Sequence, residues 1–410
     1  MDEKRKVLLI ATLDSKEIET AFLRERLEEN GLEVYLLDAS IRRTIEGGAH
    51  ITPDQIASAA GTTMPEIRAL NHEGKCMAIM IQGAIKRAHE LDEQVGFSGL
   101  IAAGGSGGST LGAAVMRSFP FGLPKVLIST MASGMTKPFV GTRDIMMLNS
   151  ICDVAGLNTV TRRIFENGAL ALAGMAKAYE PVQSSGKPVV TMTTLSVSDP
   201  CANRIRAALE QDGAEVMVFH SQGTGGPAMD QTIREQDVSL VVDLSLIEVG
   251  DYLAQGLYDG GPDRCKAALE KGVPTIFVPG NIDFLVDGPV EGARLRFPGR
   301  MYHIHNASVT AVRADADDFK RLAEHMAGLI KEAKGPVAFY VPLLGFSEHD
   351  SPRGHLHDPS LPPVFAEHLQ KVMPEGVPVV VLPYHINDPQ FADAIIEQAR
   401  AFQGAAAAVR

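Results

Sequence analysis

The residues best suited to chemistry cluster where an apolar run gives way to a polar or glycine-rich turn. The segment Ala102-Ala103-Gly104-Gly105-Ser106-Gly107-Gly108-Ser109-Thr110 follows the run Gly99 to Ala103 and precedes a helical pattern from Leu111 to Ser118. Its four glycines let backbone amides turn toward one point, and a helix amino terminus adds partial positive charge, so the block reads as a cradle for phosphate or carboxylate. Ser106, Ser109 and Thr110 can add hydroxyl donors. The pattern is neither GxxxxGK(S/T) nor the spaced GxGxxG, so it specifies an anion rather than a particular nucleotide. The competing reading is a plain strand-to-helix turn.

Other turns point to the same chemistry. Thr12-Leu13-Asp14-Ser15-Lys16-Glu17 and Ser129-Thr130-Met131-Ala132-Ser133-Gly134 both follow apolar runs, and ligands of parallel sheets collect at the carboxyl ends of strands. Lys16 can neutralise a phosphate. Asp14 can hold a divalent ion or a ribose hydroxyl, or serve with Ser15 as a helix cap. Arg143, within Gly141-Thr142-Arg143-Asp144, reads either as a fork for phosphate or as the partner of Asp144 or Asp153.

The carboxyl-terminal half offers candidates of a different kind. Asp243 and Asp283 follow apolar runs, and His303 and His305 in Met301-Tyr302-His303-Ile304-His305-Asn306 share one face if the segment is a strand. The expectation is an acid–base or metal-binding edge at which these four residues converge. Surface histidines are the alternative. The loop Glu348 to Asp358 adds His349, His355 and His357 with three acidic residues and Arg353. Gly104-Gly105-Ser106-Gly107-Gly108 also fits GxSxG, so a hydrolase using Ser106, then Asp243 or Asp283, then His303 or His305, is a further reading. It ranks below the anion cradle because the surplus glycines and hydroxyls suit an anion better than one strained serine.

The elements that must position these groups are short Val/Ile/Leu runs alternating with amphipathic stretches, the pattern of a parallel sheet covered on both faces. Expected strands include Val7 to Ala11, Glu33 to Leu37, Gly99 to Ala103 and Lys125 to Ile128, with helices Glu17 to Asn30 and Met77 to His89. A linker-like Ser184-Ser185-Gly186-Lys187-Pro188 precedes a second start at Val189 to Thr193. The two starts superpose with an offset of 182 residues, Gly31-Leu32-Glu33-Val34 falling on Gly213-Ala214-Glu215-Val216. Further strands are expected at Leu240 to Asp243, Thr275 to Val278, Pro336 to Pro342 and Val377 to Leu382. Helices are expected at Ala316 to Lys334 and Gln390 to Phe402, the last stopping at Gly404 before an Ala-rich tail. The fold class is therefore α/β, two Rossmann-like doubly wound modules spanning 1–183 and 188–410 and facing a central cleft.

Three blocks, Ala11 to Glu17, Ala103 to Thr110 and Pro124 to Gly134, resemble the ATP-binding domain family of the tomato mosaic virus resistance protein over nearly the whole chain. That resemblance implies two Rossmann-like subdomains, ATP with Mg2+ in the first, and a homodimer. It carries Asp14, Lys16, Gly104 to Thr110, Ser133, Gly134 and Arg143 over as nucleotide candidates. Plant members continue into a TIM-barrel domain, for which 410 residues leave no room. Antiviral activity belongs to the plant protein and is not transferred. A non-catalytic, nucleotide-responsive binding module remains the alternative to an enzyme acting on a small phosphorylated or carboxylic acid.

Composition bounds these readings. With 38 basic and 50 acidic residues the net charge is −12, which opposes binding to nucleic acid or an anionic membrane. The run after the charged start Met1 to Lys6 is too short for a signal core or a span, so a cytoplasmic protein is expected. Cys76, Cys152, Cys201 and Cys265 are widely spaced, which suggests neither a zinc knuckle nor a disulfide framework.

Overall fold

The computed structural model describes residues 4–45, 47–134 and 136–409, so the first three residues of the charged start lie outside it. The chain forms two compact units, Met1–Gln183 and Ser184–Arg410.

The first unit is a five-stranded parallel sheet of β1 (Lys6–Ala11), β2 (Glu33–Asp38), β3 (Leu100–Gly104), β4 (Lys125–Ser129) and β5 (Met146–Asn149), in the order β2-β1-β3-β4-β5. Alternation along β1 feeds both faces: Leu8 and Ile10 join a core with Leu37, Ile56 and Met80, while Val7 and Leu9 pack with Leu23, Leu27 and Phe165. Helices Glu73–Val95 and Ser106–Ser118 cover the first face, and Leu13–Glu29 and Thr159–Ala178 the second. Leaving β1, the chain pairs β2 on one side and returns to β3 on the other. That reversal opens a crevice between the carboxyl ends of β1 and β3.

The second unit repeats the topology. Its six-stranded parallel sheet, in the order β14-β13-β9-β8-β6-β7, contains β6 (Val189–Thr194), β7 (Glu215–His220), β8 (Val238–Ser245), β9 (Thr275–Gly280), β13 (Val337–Pro342) and β14 (Val379–Leu382). Shifted by 182 residues, β2 falls on β7 residue for residue. Between β9 and β13 the chain inserts an antiparallel sheet, β10 (Phe284–Asp287), β11 (Tyr302–Asn306) and β12 (Val309–Arg313), in the order β10-β12-β11. Leu195, Ile247, Phe284, Val286, Ala311 and Leu356 form a small core that seats the insertion beside the turn after β6.

Several elements depart from their sequence reading. The helix expected at Leu111 starts at Ser106, so the later glycines of the block lie in its first turn. The helix expected at Glu17 starts at Leu13, with a kink at Lys16 (φ −133°, ψ 28°) that separates the first turn from the regular part. The last helix, Pro389–Val409, runs through Gly404, which is not a stop. Among the described residues no helix is long and apolar enough to cross a membrane. The four cysteines are free thiols, three of them buried.

Candidate functional site

In the first unit a cleft of about 590 Å³ lies over the carboxyl ends of β1 and β3. Gly104, Gly105, Ser106, Gly107 and Gly108 form one wall, and Asp14, Ser15 and Lys16 another. The glycines divide by role. A Cβ on Gly104 would stand 2.9 Å from the Gly108 Cα, and one on Gly112 would stand 2.5 Å from the Ala102 Cβ, so these two permit close packing of helix on strand. A Cβ on Gly107 would meet nothing within 4 Å, and one on Gly105 only the Thr130 hydroxyl at 3.9 Å. Packing therefore does not demand glycine at 105 or 107. Nor does backbone conformation, since none of the four glycines of the block has positive φ. Their effect is to leave the helix amides open to the cleft, because the N-cap is Gly105 and supplies no capping side chain.

The opposite wall is held by buried polar bonds. Asp38, at the end of β2, accepts from the Leu13 and Ser40 amides at 3.0 Å each, and burial raises its pKa. The Asp14 Oδ2 accepts from the Ile41 and Arg42 amides at 3.0 and 2.8 Å, so this carboxylate fixes the chain after β2 while it also faces the cleft. The Lys16 ammonium donates to the Val154 carbonyl, which holds it at the cleft wall. Beside Asn71, Glu73 and Asp153, the polar lining includes Arg42, Arg68 and His72. Arg68 is braced by the Ile41 carbonyl at 2.7 Å and the Thr44 hydroxyl at 3.1 Å. Sequence reading passed over these three residues. Their signal is a pair of capping boxes, Thr52 with Gln55 and Thr63 with Glu66, which mark two short helices between β2 and Glu73.

Other nucleotide candidates are not among the residues that line the cleft. The Ser109 hydroxyl is buried against Ser129 at 2.6 Å and the Gly104 carbonyl at 3.2 Å, locking the helix to β4. Thr110 turns its hydroxyl back to the Ser106 carbonyl at 2.8 Å. Ser133 and Gly134 sit in an exposed turn after β4 and do not line the cleft. Arg143 is 7% exposed, donates to the Arg117 carbonyl at 2.8 Å and lies over the Phe121 ring at 4.5 Å, and it does not line the cleft.

In the second unit, of the four residues expected to act together, only His303 and His305 share a pocket. Asp243 is buried and takes both terminal nitrogens of Arg264, at 2.7 and 2.8 Å, with the Thr193 hydroxyl at 2.6 Å. Asp283 is buried under the Ser347 hydroxyl at 2.7 Å and beside Arg313 at 3.8 Å. Burial, reinforced by the neighbouring Asp350, pushes Asp283 up to about 7. Neither carboxylate lines a pocket with the histidines, which removes the expected acids from both the acid–base edge and the Ser106 hydrolase reading. His303 and His305 lie on β11, in the antiparallel insertion rather than at a parallel strand end.

These histidines nevertheless line a pocket of about 330 Å³ together with His220 and His349. The His303 ring stacks on His355 (centroids 4.6 Å apart, planes 9° apart) and leans on His349 at 4.7 Å. Burial and the neighbouring imidazoles lower the pKa of His303 and bring His349 down to about 4. Among the described residues no group of three or more His, Cys, Asp or Glu side chains is placed to hold a metal ion. His220, Gln222 and Tyr258 are pocket residues that sequence reading missed; the first two fall where β7 ends.

Comparison with known proteins finds two family matches. Residues 5–181 match the N-terminal domain, and residues 187–403 the C-terminal domain, described as Uncharacterised protein family (UPF0261). A UPF0261 protein of Clostridium tetani is 32% identical over 96% of this chain and 98% of its own length. A UPF0261 protein of Mesorhizobium japonicum is 32% identical over 95% of this chain and 98% of its own. The ToMV resistance protein Tm-1(GCR237) of Solanum lycopersicum is 34% identical over 79% of this chain, a match that spans 44% of the tomato protein.

Proposed function

The chain belongs to the UPF0261 family, and from that premise we propose that its first unit is an ATP-binding module, in a protein that the same resemblance implies is a homodimer. The observation that carries the reading is the open amide end of the helix Ser106–Ser118 at the sheet's reversal point, with Gly105 and Gly107 clear of any packing partner and Lys16, Arg42 and Arg68 on the same cleft. Backbone amides would hold phosphate oxygens, and the three cations would offset their charge. Magnesium, which keeps most of its ligands as water and phosphate oxygen, needs only one or two carboxylates. Asp14 and Asp153 face the cleft and would serve. A volume of about 590 Å³ suits a nucleotide-sized ligand. The bound triphosphate supplies either a transferable phosphoryl group or a conformational signal. This chain's own residues bind and orient it.

Calorimetric titration with Mg-ATP tests the proposal on the whole chain. One saturable site is expected, weakened at least about tenfold by Gly107→Val, whose branched side chain enters the cleft without meeting another residue. Because the space is open and φ is not positive, the circular dichroism and melting temperature of the variant stay close to those of the parent. Equal affinity in a folded Gly107→Val variant would remove the cradle.

A further inference from the structure

The pocket on β11 is left over once the nucleotide cleft is assigned, and its composition is unusual. Its floor is apolar, with Leu195, Val197, Phe284 and Val286 among the lining residues, while four imidazoles, His220, His303, His305 and His349, dominate a polar lining that also includes Ser196, Gln222 and Tyr258. Among the described residues no lysine, arginine or carboxylate lines it. It occupies the turns after β6 and β7, the strands that match β1 and β2 of the first unit. A concave site with an apolar body and convergent polar groups beyond the carboxyl ends of parallel strands is where a small molecule binds.

We propose that this pocket binds a small organic monocarboxylate with an apolar body and takes up one proton as it does so. The apolar floor receives the body of the acid. Its carboxylate needs a countercharge, and without a fixed cation in the lining the countercharge must be an imidazolium made on binding. One proton from solvent joins one imidazole nitrogen of the cluster, and the imidazolium pairs with the ligand's carboxylate; no bond in the ligand breaks. His303 is the central ring, touching both His349 and His355. The other titratable groups facing the cluster are His220, His305, Glu348 beside His349, and the half-buried Tyr258. In the empty pocket, burial and mutual repulsion keep His303 and His349 neutral at pH 7. An anion between them reverses that balance.

The test uses benzoate as probe and benzyl alcohol as its uncharged counterpart, each titrated calorimetrically into the whole protein at pH 6.5 in phosphate and in Tris. Saturable benzoate binding is expected, with a heat that differs between the buffers by about one proton's ionisation, and with affinity rising by as much as ~tenfold as pH falls from 7.5 to 6.5. Benzyl alcohol shows no buffer dependence. His303→Gln with His305→Gln abolishes the proton uptake while leaving Mg-ATP binding in the first unit unchanged. Absence of saturable benzoate binding, equal heats in the two buffers, or benzoate binding untouched in the double variant would each overturn the proposal. The buffer comparison needs no variant, so it decides the matter even if the double variant fails to fold.

Discussion

Each unit places a glycine-rich turn ahead of a helix, and the two turns have opposite fates. In the first, the amides after Gly105 open into the cleft. In the second, the amides of Gly223 and Gly226 are already satisfied by the chain's own Glu248, at 2.8 and 3.2 Å. Glu248 is in turn held by Arg264 at 2.9 Å, and a Cβ on Gly226 would fall 1.9 Å from both partners. The same backbone device thus binds an internal carboxylate in one unit and faces open space in the other. A glycine loop therefore becomes informative about a ligand only after the chain's own anions have been accounted for.

The contrast can be broken most forcefully at Arg264. This buried guanidinium balances Asp243, Glu248 and, at 3.6 Å, Asp230, so Arg264→Ala leaves three buried carboxylates without their cation. A loss of about 3–5 kcal/mol is expected in chemical denaturation of the second unit, with Mg-ATP affinity of the folded protein unaffected. If the second unit's transition does not move, the closed loop is not the structural element described.

A smaller effect separates the two kinds of glycine within the first unit. Gly112→Ala adds a methyl 2.5 Å from the Ala102 Cβ and should cost about 1–3 kcal/mol, despite alanine's better helix propensity. Its melting temperature should fall while that of Gly107→Val does not. Equal melting temperatures for the two variants would erase the distinction between packing and binding glycines.

A third effect is a pH slope. The Asp283 carboxyl, raised to about 7 in the folded chain against 3.8 for the free group, binds its proton more tightly folded than unfolded. Its contribution to stability is therefore complete below about pH 4 and is lost as pH rises to about 7. Asp283→Asn should flatten the fall in stability across that interval by about 1 kcal/mol per pH unit. Asp251 and Asp230, raised by burial to about 7 and about 6, sustain the rest of the slope. Urea melts at pH 5 and pH 7.5 read the difference, and an unchanged slope would contradict the burial assigned to Asp283.

Much of the fold was legible because strand and helix periods are local. The run Val7 to Ala11 declares a strand buried on both faces, and the repeat at 182 residues places β7 where it is found. The cleft was legible in part. Apolar runs followed by glycine or polar turns flag Asp14, Lys16 and Gly104 to Gly108, but the direction of a side chain depends on where the helix begins. Because that helix begins at Ser106 rather than Leu111, Ser109 turns inward to Ser129. Arg143 was read either as a phosphate fork or as the partner of Asp144 or Asp153; its Nε meets a carbonyl and its plane a phenyl ring. Arg42 and Arg68 reach the cleft from a stretch without strand periodicity, where only helix caps give a signal. The His303 to His305 alternation did encode a strand, yet nothing local in it distinguishes an antiparallel insertion from the parallel sheet.

Photoaffinity labelling with 8-azido-ATP and magnesium, followed by peptide mapping, bears most directly on the assignment of the nucleotide to the open glycine turn. Labelling suppressed by excess ATP is expected within residues 12–16, 39–42, 68–77 or 104–108, the segments that line the first unit's cleft. Competable labelling at the peptides carrying His303 or His349, or labelling that excess ATP does not suppress, would contradict it.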